Sequence, residues 1–206
     1  MRQVLPPVTG VLMPALSRIA NEPERFRRVF LQTIAQVSMV SLPPVIFLIA
    51  TSDWVIRVLL GPKWDECAAI FAWLGLNALT QPINSVTGTT WTARGRSDDM
   101  LRWGVIHNLM IITAIIAGLP WGPLGVAASY AITGLTLRVP FFYWSVCRNS
   151  FFTVPDLVRA TGPHYLISAV LYAGIWLLRH ELGSIKPVYG LAITGTFAGV
   201  LWRSEE

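Results

Sequence analysis

Long stretches of the chain carry no charged side chain and alternate with short charged segments. The stretches 29–52, 67–93 and 160–178 contain no Asp, Glu, Lys or Arg, and neither does 103–137. A helix rises about 1.5 Å per residue and the hydrocarbon core of a bilayer is about 30 Å thick, so crossing it takes about 20 predominantly apolar residues. Each stretch therefore predicts a membrane-spanning helix, and 103–137 is long enough to begin a second one.

A cluster of turn residues divides this longest uncharged stretch. Two prolines and three glycines fall within 118–125, and such residues end a helix without any need for charge in the turn. The pattern predicts a tight hairpin between helices over 103–119 and 124–146. Segment 187–202 predicts a short final helix. Segment 1–18 holds three prolines and predicts a truncated or kinked helix, with a secretory signal as the alternative.

The composition supports a membrane protein. Of the 206 residues, 53% are hydrophobic and 13% are charged, against about 25% charged in soluble domains. The mean hydropathy is +0.54. We therefore expect an all-α, polytopic membrane protein in which 1–206 form a single transmembrane domain of about six helices. The two cysteines lie in apolar stretches and support no disulfide assignment.

The basic residues lie mainly in the connections between the uncharged stretches. The formal net charge of +5 would indicate nucleic-acid binding in a soluble protein. Here the arginines instead follow the pattern that orients membrane proteins, because cytoplasmic loops carry an excess of Lys and Arg. With the segment from Arg18 to Arg28 in the cytoplasm, alternating connections place about ten basic residues on that side and about five on the other. We predict this orientation and no nucleic-acid partner.

Sequence signatures of catalysis, metal binding and nucleotide binding are absent. There is no HExxH, Walker loop or CxxC, and the three histidines lie too far apart to suggest a metal site. We therefore predict no enzyme activity and no cofactor. The acid pairs Asp65–Glu66 and Asp98–Asp99 fit solvated loop charges. A membrane glycosyltransferase would need a loop acid of this kind, so that alternative stays open.

Polar side chains within the predicted spans are the best candidates for a functional site. Ionisable groups are costly inside a membrane and tend to face a cavity or a partner. Arg138 either reaches the headgroups or lines a cavity for an anionic substrate. His107 and Asn108 lie one turn inside another predicted helix, while Gln81 and Asn84 share a helical face because they are three residues apart. The amides fit a hydrophilic path and interhelical packing equally well.

Tryptophans and small residues have structural explanations. Trp103 and Trp121 lie near predicted helix ends, where an aromatic belt at the membrane surface explains them. Gly122, Gly125 and Gly134 would let neighbouring helices approach closely. We interpret both groups as packing and anchoring residues rather than as ligand contacts.

Four short motifs occur in the order found in one bacterial family. They resemble motifs of the polysaccharide transporters, the oligosaccharide flippases of lipopolysaccharide and exopolysaccharide synthesis, and the resemblance covers residues 4–145. The motifs are Pro14-Ala15-Leu16-Ser17-Arg18 followed by a charged segment and a helix with Pro43-Pro44, Leu59-Leu60-Gly61-Pro62-Lys63-Trp64, Ala93-Arg94-Gly95-Arg96, and Gly122-Pro123-Leu124-Gly125-Val126-Ala127.

The resemblance implies a transporter built from two six-helix halves that face each other across a cavity, and this chain resembles the second, C-terminal half. It implies translocation of a lipid-linked oligosaccharide, on a carrier of the undecaprenyl diphosphate type, across the bacterial inner membrane. We expect a fragment of a longer protein, with two associating chains as the alternative. The expected partners are this substrate, membrane lipids and polysaccharide assembly proteins.

The roles of individual residues are inferred from their chemistry and not from the family. Arg138 and His107 would attract the diphosphate, and Gln81, Asn84 and Asn108 would bond saccharide hydroxyls. Three other functions compete with a flippase: a membrane glycosyltransferase or polysaccharide polymerase, a multidrug extruder of the same superfamily, and a noncatalytic membrane scaffold. The extruder would need an acid within a span, and the uncharged stretches contain none.

Overall fold

The structure is a computed structural model that describes residues 19, 22–82, 84, 91, 95, 97–148, 150–181 and 194–196. This part of the chain is helical, with short turns and without strands. A π-helix, Gly134–Arg138, connects the α-helices Gly122–Thr133 and Val139–Cys147 without a break. The predictions for 1–18 and for most of 187–202 lie outside the described residues. The α-helices, numbered along the chain, are α1 (Pro23–Ala50), α2 (Ser52–Leu59), α3 (Cys67–Ala78), α4 (Ser97–Gly118), α5 (Gly122–Thr133), α6 (Val139–Cys147) and α7 (Val154–Glu181).

Three helices extend past the uncharged stretches that predicted them. α1 begins at Pro23 and not at 29, α4 begins at Ser97 and not at 103, and α7 spans Val154–Glu181 and not 160–178. Acidic side chains stabilise the positive end of a helix dipole, so charge at that end does not stop a helix. Each of the three helices has such a residue in its first turn: Glu24, Asp98 and Asp156.

The helix predicted over 67–93 is interrupted. α3 ends at Ala78, and a turn at Leu79 and Thr80 precedes the next helical residues. Pro82, just after the turn, has no N–H to donate to the carbonyl of Ala78. The hydroxyl of Tyr165 donates to the carbonyl of Leu79, within the turn, at 2.7 Å. The uncharged stretch 67–93 therefore contains an interruption at Leu79 and Thr80 that the apolar pattern did not predict.

α1 and α7 pack side by side and run in the same direction. Near their beginnings, Phe30 stacks on Phe152 with ring centroids 4.3 Å apart, and Arg27 pairs with Asp156 at 2.6 Å. Near their ends, Arg179 pairs with Asp53 of α2 at 2.6 Å. Three membrane crossings are predicted between α1 and α7, over 67–93, 103–119 and 124–146. If these crossings alternate in direction, α7 begins on the same side of the membrane as α1, and the two helices must be parallel, as observed. Which side faces the cytoplasm stays a prediction.

α4 and α5 form the tight hairpin at the proline and glycine cluster. Gly122 has a φ of +69°, a conformation that favours glycine. A Cβ added at Gly118 would lie 2.6 Å from the Cα of Val126, so only glycine lets the two helices meet this closely. The hydroxyl of Ser129 also donates across the pair to the carbonyl of Ala114 at 2.7 Å. The turn therefore depends on close backbone contact and not on solvated charge.

Two helical stretches among the described residues are long and apolar enough to cross a bilayer, by length and composition: Pro23–Ala50 and Asp98–Cys147, the second including the hairpin. α3 is apolar but shorter. Large apolar side chains also cover outward faces of α4 and α7. Contiguous apolar surface of this kind is rare on soluble monomers and suits contact with lipid. Examples are Leu101, Val105, Leu109 and Ile116 on α4 and Leu166, Val170 and Leu177 on α7.

Candidate functional site

A small polar cavity lies where α3, α4, α5 and the π-helix meet. Its volume is about 50 Å³. That volume holds a few water molecules, since one water needs about 10–15 Å³, whereas pockets for larger organic ligands measure about 300–1,000 Å³. None of the lining residues is Asp or Glu. They are Asn77, Thr80, Gln81, Asn84, Trp103, His107, Tyr130, Gly134, Arg138, Val139 and Phe142.

Arg138 is the only cation among these lining residues that is charged at every physiological pH. It ends the π-helix, and only 4% of its surface is exposed. Its Nη2 donates to the carbonyl of Tyr130 at 2.6 Å and to Oδ1 of Asn77 at 3.1 Å. The guanidinium carbon also lies 4.1 Å from the centre of the Tyr130 ring. The side chain is therefore turned into the helix bundle, which favours the cavity-lining alternative over the alternative in which it reaches the headgroups.

Gly134 makes room for this arrangement. A Cβ added at Gly134 would lie 2.6 Å from Nη2 of Arg138 and closer still to Oδ1 of Asn77. Both distances are far below van der Waals contact, so any side chain at this position would separate the guanidinium from the amide. The glycine was expected to serve helix packing, and in the structure it also determines where the cation lies.

A chain of neutral polar groups runs along one side of the cavity. The amide nitrogen of Asn77 donates to the hydroxyl of Tyr130 at 3.3 Å. The hydroxyl of Thr80 donates to the carbonyl of Asn77 at 2.8 Å, and it accepts from the amide nitrogen of Asn84 at 3.3 Å. Gln81 lines the same cavity and is exposed. These amide and hydroxyl groups can form hydrogen bonds with water or with the hydroxyls of a ligand, just as they do with one another.

His107 and Trp103 form the opposite side of the cavity, both on α4. The Nδ1 atom of His107 is buried and has no hydrogen-bond partner among the described residues. The indole of Trp103 lies 5.4 Å from the His107 ring and 4.9 Å from the ring of Phe142, measured between centroids. Trp103 was expected in an aromatic belt at the membrane surface, but it is packed between helices beside the cation.

The structure brings together four of the five predicted site residues. Arg138, His107, Gln81 and Asn84 line one cavity. Asn108 does not line it and is exposed, because consecutive residues of a helix point about 100° apart and His107 occupies the inward position. The path role expected for Asn108 is therefore not supported by its position in this structure.

Sequence reasoning missed other polar residues of the cavity. Asn77 was detectable, since it precedes Gln81 by four residues and Asn84 by seven and so belongs to the same helical face. Tyr130 lies eight residues before Arg138, and no periodicity in the sequence links its backbone carbonyl to the guanidinium. The contact arises from the π-helix, which changes the helical register between these two residues.

Two carboxylates outside the cavity form ion pairs that lower their pKa values. Arg57 holds the pKa of Asp65 below its ordinary value through a direct hydrogen bond. Arg27, together with the backbone and hydroxyl of Thr153, holds the pKa of Asp156 well below its ordinary value. An ionised, paired carboxylate is a poor general acid. Neither Asp65 nor Asp156 is therefore suited to act as a general acid.

The fold and the cavity define a class of protein. Long helices with lipid-compatible outer faces enclose a buried arginine and amides in a small interhelical cavity. Buried polar groups between apolar helices are typical of proteins that move or hold polar molecules within a bilayer. The chain is an all-α membrane protein.

Comparison with known proteins specifies the class further. Residues 1–69 match the family model described as polysaccharide biosynthesis protein. The chain is 25% identical over 128 residues to the lipopolysaccharide biosynthesis protein WzxC of Escherichia coli (strain K12), covering 62% of this chain and 26% of WzxC. It is 28% identical over 134 residues to the teichuronic acid biosynthesis protein TuaB of Bacillus subtilis (strain 168), covering 63% of this chain and 27% of TuaB.

A third relative extends the likeness along nearly the whole chain. The amylovoran biosynthesis protein AmsL of Erwinia amylovora is 22% identical over 191 residues, which cover 91% of this chain and 48% of AmsL. The matches thus span about a quarter to a half of these relatives. No solved structure matches the chain significantly. The predicted resemblance to the polysaccharide biosynthesis family is confirmed.

Proposed function

We propose that this chain is part of a transporter that moves a lipid-linked oligosaccharide from the cytoplasmic to the periplasmic leaflet of a bacterial inner membrane. The observation that carries the proposal is the position of Arg138, a buried cation in an amide-lined cavity without an acidic lining residue. The likeness to proteins named for lipopolysaccharide, amylovoran and teichuronic acid biosynthesis supports the same function.

The physical problem in such transport is the polar head of the substrate. Saccharide hydroxyls and a diphosphate lose their hydrogen bonds if they enter hydrocarbon, at a cost of several kcal/mol for each unpaired group. A carrier must therefore offer replacement partners along a hydrated path, and no covalent step is needed. Arg138 and His107 would bind the diphosphate, while Gln81, Asn84 and Asn77 would bond hydroxyls.

The size of the cavity implies that transport requires a change of conformation. A volume of about 50 Å³ excludes a saccharide head. Substrate therefore reaches Arg138 only after α3 and α5 separate, and transporters of this type alternate between two such openings. The interruption after Ala78 and the π-helix before α6 are the places where these helices depart from regular geometry. They are the positions at which we expect them to bend.

The experiment is complementation of a bacterium that lacks its own oligosaccharide flippase. The longest gene product that contains this chain, and the 206-residue chain itself, are each tested for polysaccharide export and for clearance of the lipid-linked precursor. Restoration by the short chain would indicate assembly from two copies, and restoration by the longer product alone would indicate a fragment. Failure of both, with both proteins present in the membrane, would contradict the proposed substrate.

A substitution tests the residue that carries the proposal. Replacing Arg138 by alanine in the complementing protein removes charge-assisted hydrogen bonds worth about 1.5–3 kcal/mol each, so export should fall about tenfold or more. The control is Arg148→Ala, which removes an exposed arginine directly after the C-terminal end of α6. Equal export by both variants, at equal membrane levels, would show that Arg138 has no role in transport.

A further inference from the structure

The charge of Arg138 has no balancing charge among the residues around it. Its guanidinium donates to a backbone carbonyl and a side-chain amide and faces an aromatic ring, all of which are neutral. No Asp or Glu is among the described residues that line the cavity. A cation buried within a membrane protein is costly, and such groups pair with a counter-charge or with backbone carbonyls; among the residues described, Arg138 has one carbonyl partner, Tyr130, and no acid.

Two polar atoms at this site have no hydrogen-bond partner among the described residues. They are Nε of Arg138 and Nδ1 of His107, and both are buried. Nε of an arginine is always a donor, and a histidine nitrogen becomes a donor in the appropriate tautomer. The amide nitrogen of Asn77 and that of Asn84 add further donors at the same cavity. The lining is therefore rich in donors and carries a net positive charge.

We propose that this cavity binds one small inorganic anion of the halide class, held by Arg138. The volume of about 50 Å³ accommodates a halide ion with a water molecule and excludes larger anionic headgroups. The anion serves as the counter-ion of Arg138 while the cavity is closed, and the diphosphate of the substrate displaces it when the cavity opens. The displacement step rests on the proposed function, whereas binding of the anion itself does not.

Trp103 provides a direct readout of this binding. It lines the same cavity as Arg138, and bromide quenches tryptophan fluorescence on contact. Purified full-length protein is titrated with bromide against gluconate at constant ionic strength. We expect a saturable quenching component on top of the linear collisional one, and we expect chloride to restore the fluorescence by competition.

Three variants test whether the saturable quenching component reports anion binding beside Arg138 and Trp103. Arg138→Gln should raise its half-saturation concentration at least tenfold, and Trp103→Phe should remove it. Arg148→Gln is the matched control, because Arg148 lies 5.2 Å from the ring of Trp144 but outside the cavity, and it should leave the component unchanged.

Linear quenching without competition by chloride in the wild-type protein would overturn the proposal, whether or not the Arg138 variant folds. The measurement contains no lipid carrier. A negative result here would therefore leave the transport proposal standing, and a failure of complementation would leave the anion site standing.

Discussion

At the scale of single residues, the position of the Arg138 guanidinium depends on the absence of a side chain at Gly134. The cation reaches Asn77 only because the glycine has no side chain in the space between them. The sequence predicted Arg138 as a candidate because an arginine within an apolar stretch is rare. It predicted neither partner, because the contact between Asn77 and the guanidinium joins residues 61 positions apart.

Gly134→Ala tests this dependence. The added methyl would overlap the guanidinium and the amide, so we expect a loss of about 1–3 kcal/mol in the free energy of unfolding and reduced export. Thermal unfolding of the purified protein and complementation measure the two effects.

Gly104→Ala is the matched control, since a Cβ at Gly104 meets nothing within 4 Å. Alanine favours a helix over glycine by about 1 kcal/mol, so this variant should be neutral or more stable. The opposite order of stability for the two variants would contradict the geometry described for the cavity.

At the scale of helices, α1 and α7 form a parallel pair with an ion pair near each end. Hydrophobic pattern predicted the existence of both helices but not their ends, because charged first turns continue the helix beyond the apolar stretch. The same pattern did not predict the break after Ala78 or the π-helix. Both are backbone irregularities whose hydrogen bonds are completed by other helices or by a shift of register.

Acid should weaken the contact between the beginnings of α1 and α7. The pKa of Asp156 is lower in the folded protein than its ordinary value of about 3.9, because Arg27 and Thr153 bond its ionised form. Its contribution to stability is therefore fully present above that value and is lost as the pH falls through the folded pKa. The midpoint of thermal unfolding, measured from pH 5 down to pH 2, should therefore fall in part because Asp156 becomes protonated.

Asp156→Asn isolates the contribution of this carboxylate. The variant should unfold at a lower temperature than wild type at pH 5, and the difference should narrow as the pH falls from about 3.9 to 2. Glu24→Gln is the control, because Glu24 also faces Arg27 but at 3.9 Å and with 88% of its side chain exposed. A constant difference between wild type and Asp156→Asn at every pH would contradict the assigned ion pair.

At the scale of the whole molecule, the helices bury a cation between them, with 4% of the surface of Arg138 exposed. The fold class followed from the uncharged stretches, and the family resemblance followed from four motifs in order. The composition of the cavity required the structure, because its lining combines residues 77–84, two residues of α4 and the continuous segment from Tyr130 to Phe142. The number of membrane crossings and the orientation remain predictions.

Under the proposed function, Arg138 binds the diphosphate of a lipid-linked saccharide while the saccharide crosses the bilayer. The most direct test is a vesicle assay, in which full-length protein and an undecaprenyl-diphosphate-linked saccharide are reconstituted and a glycosidase added outside removes sugar that reaches the outer leaflet. We predict that wild-type protein and Arg148→Ala expose the inner pool at least about tenfold faster than Arg138→Ala. Equal rates for all three proteins, or no protein-dependent exposure at all, would contradict the account.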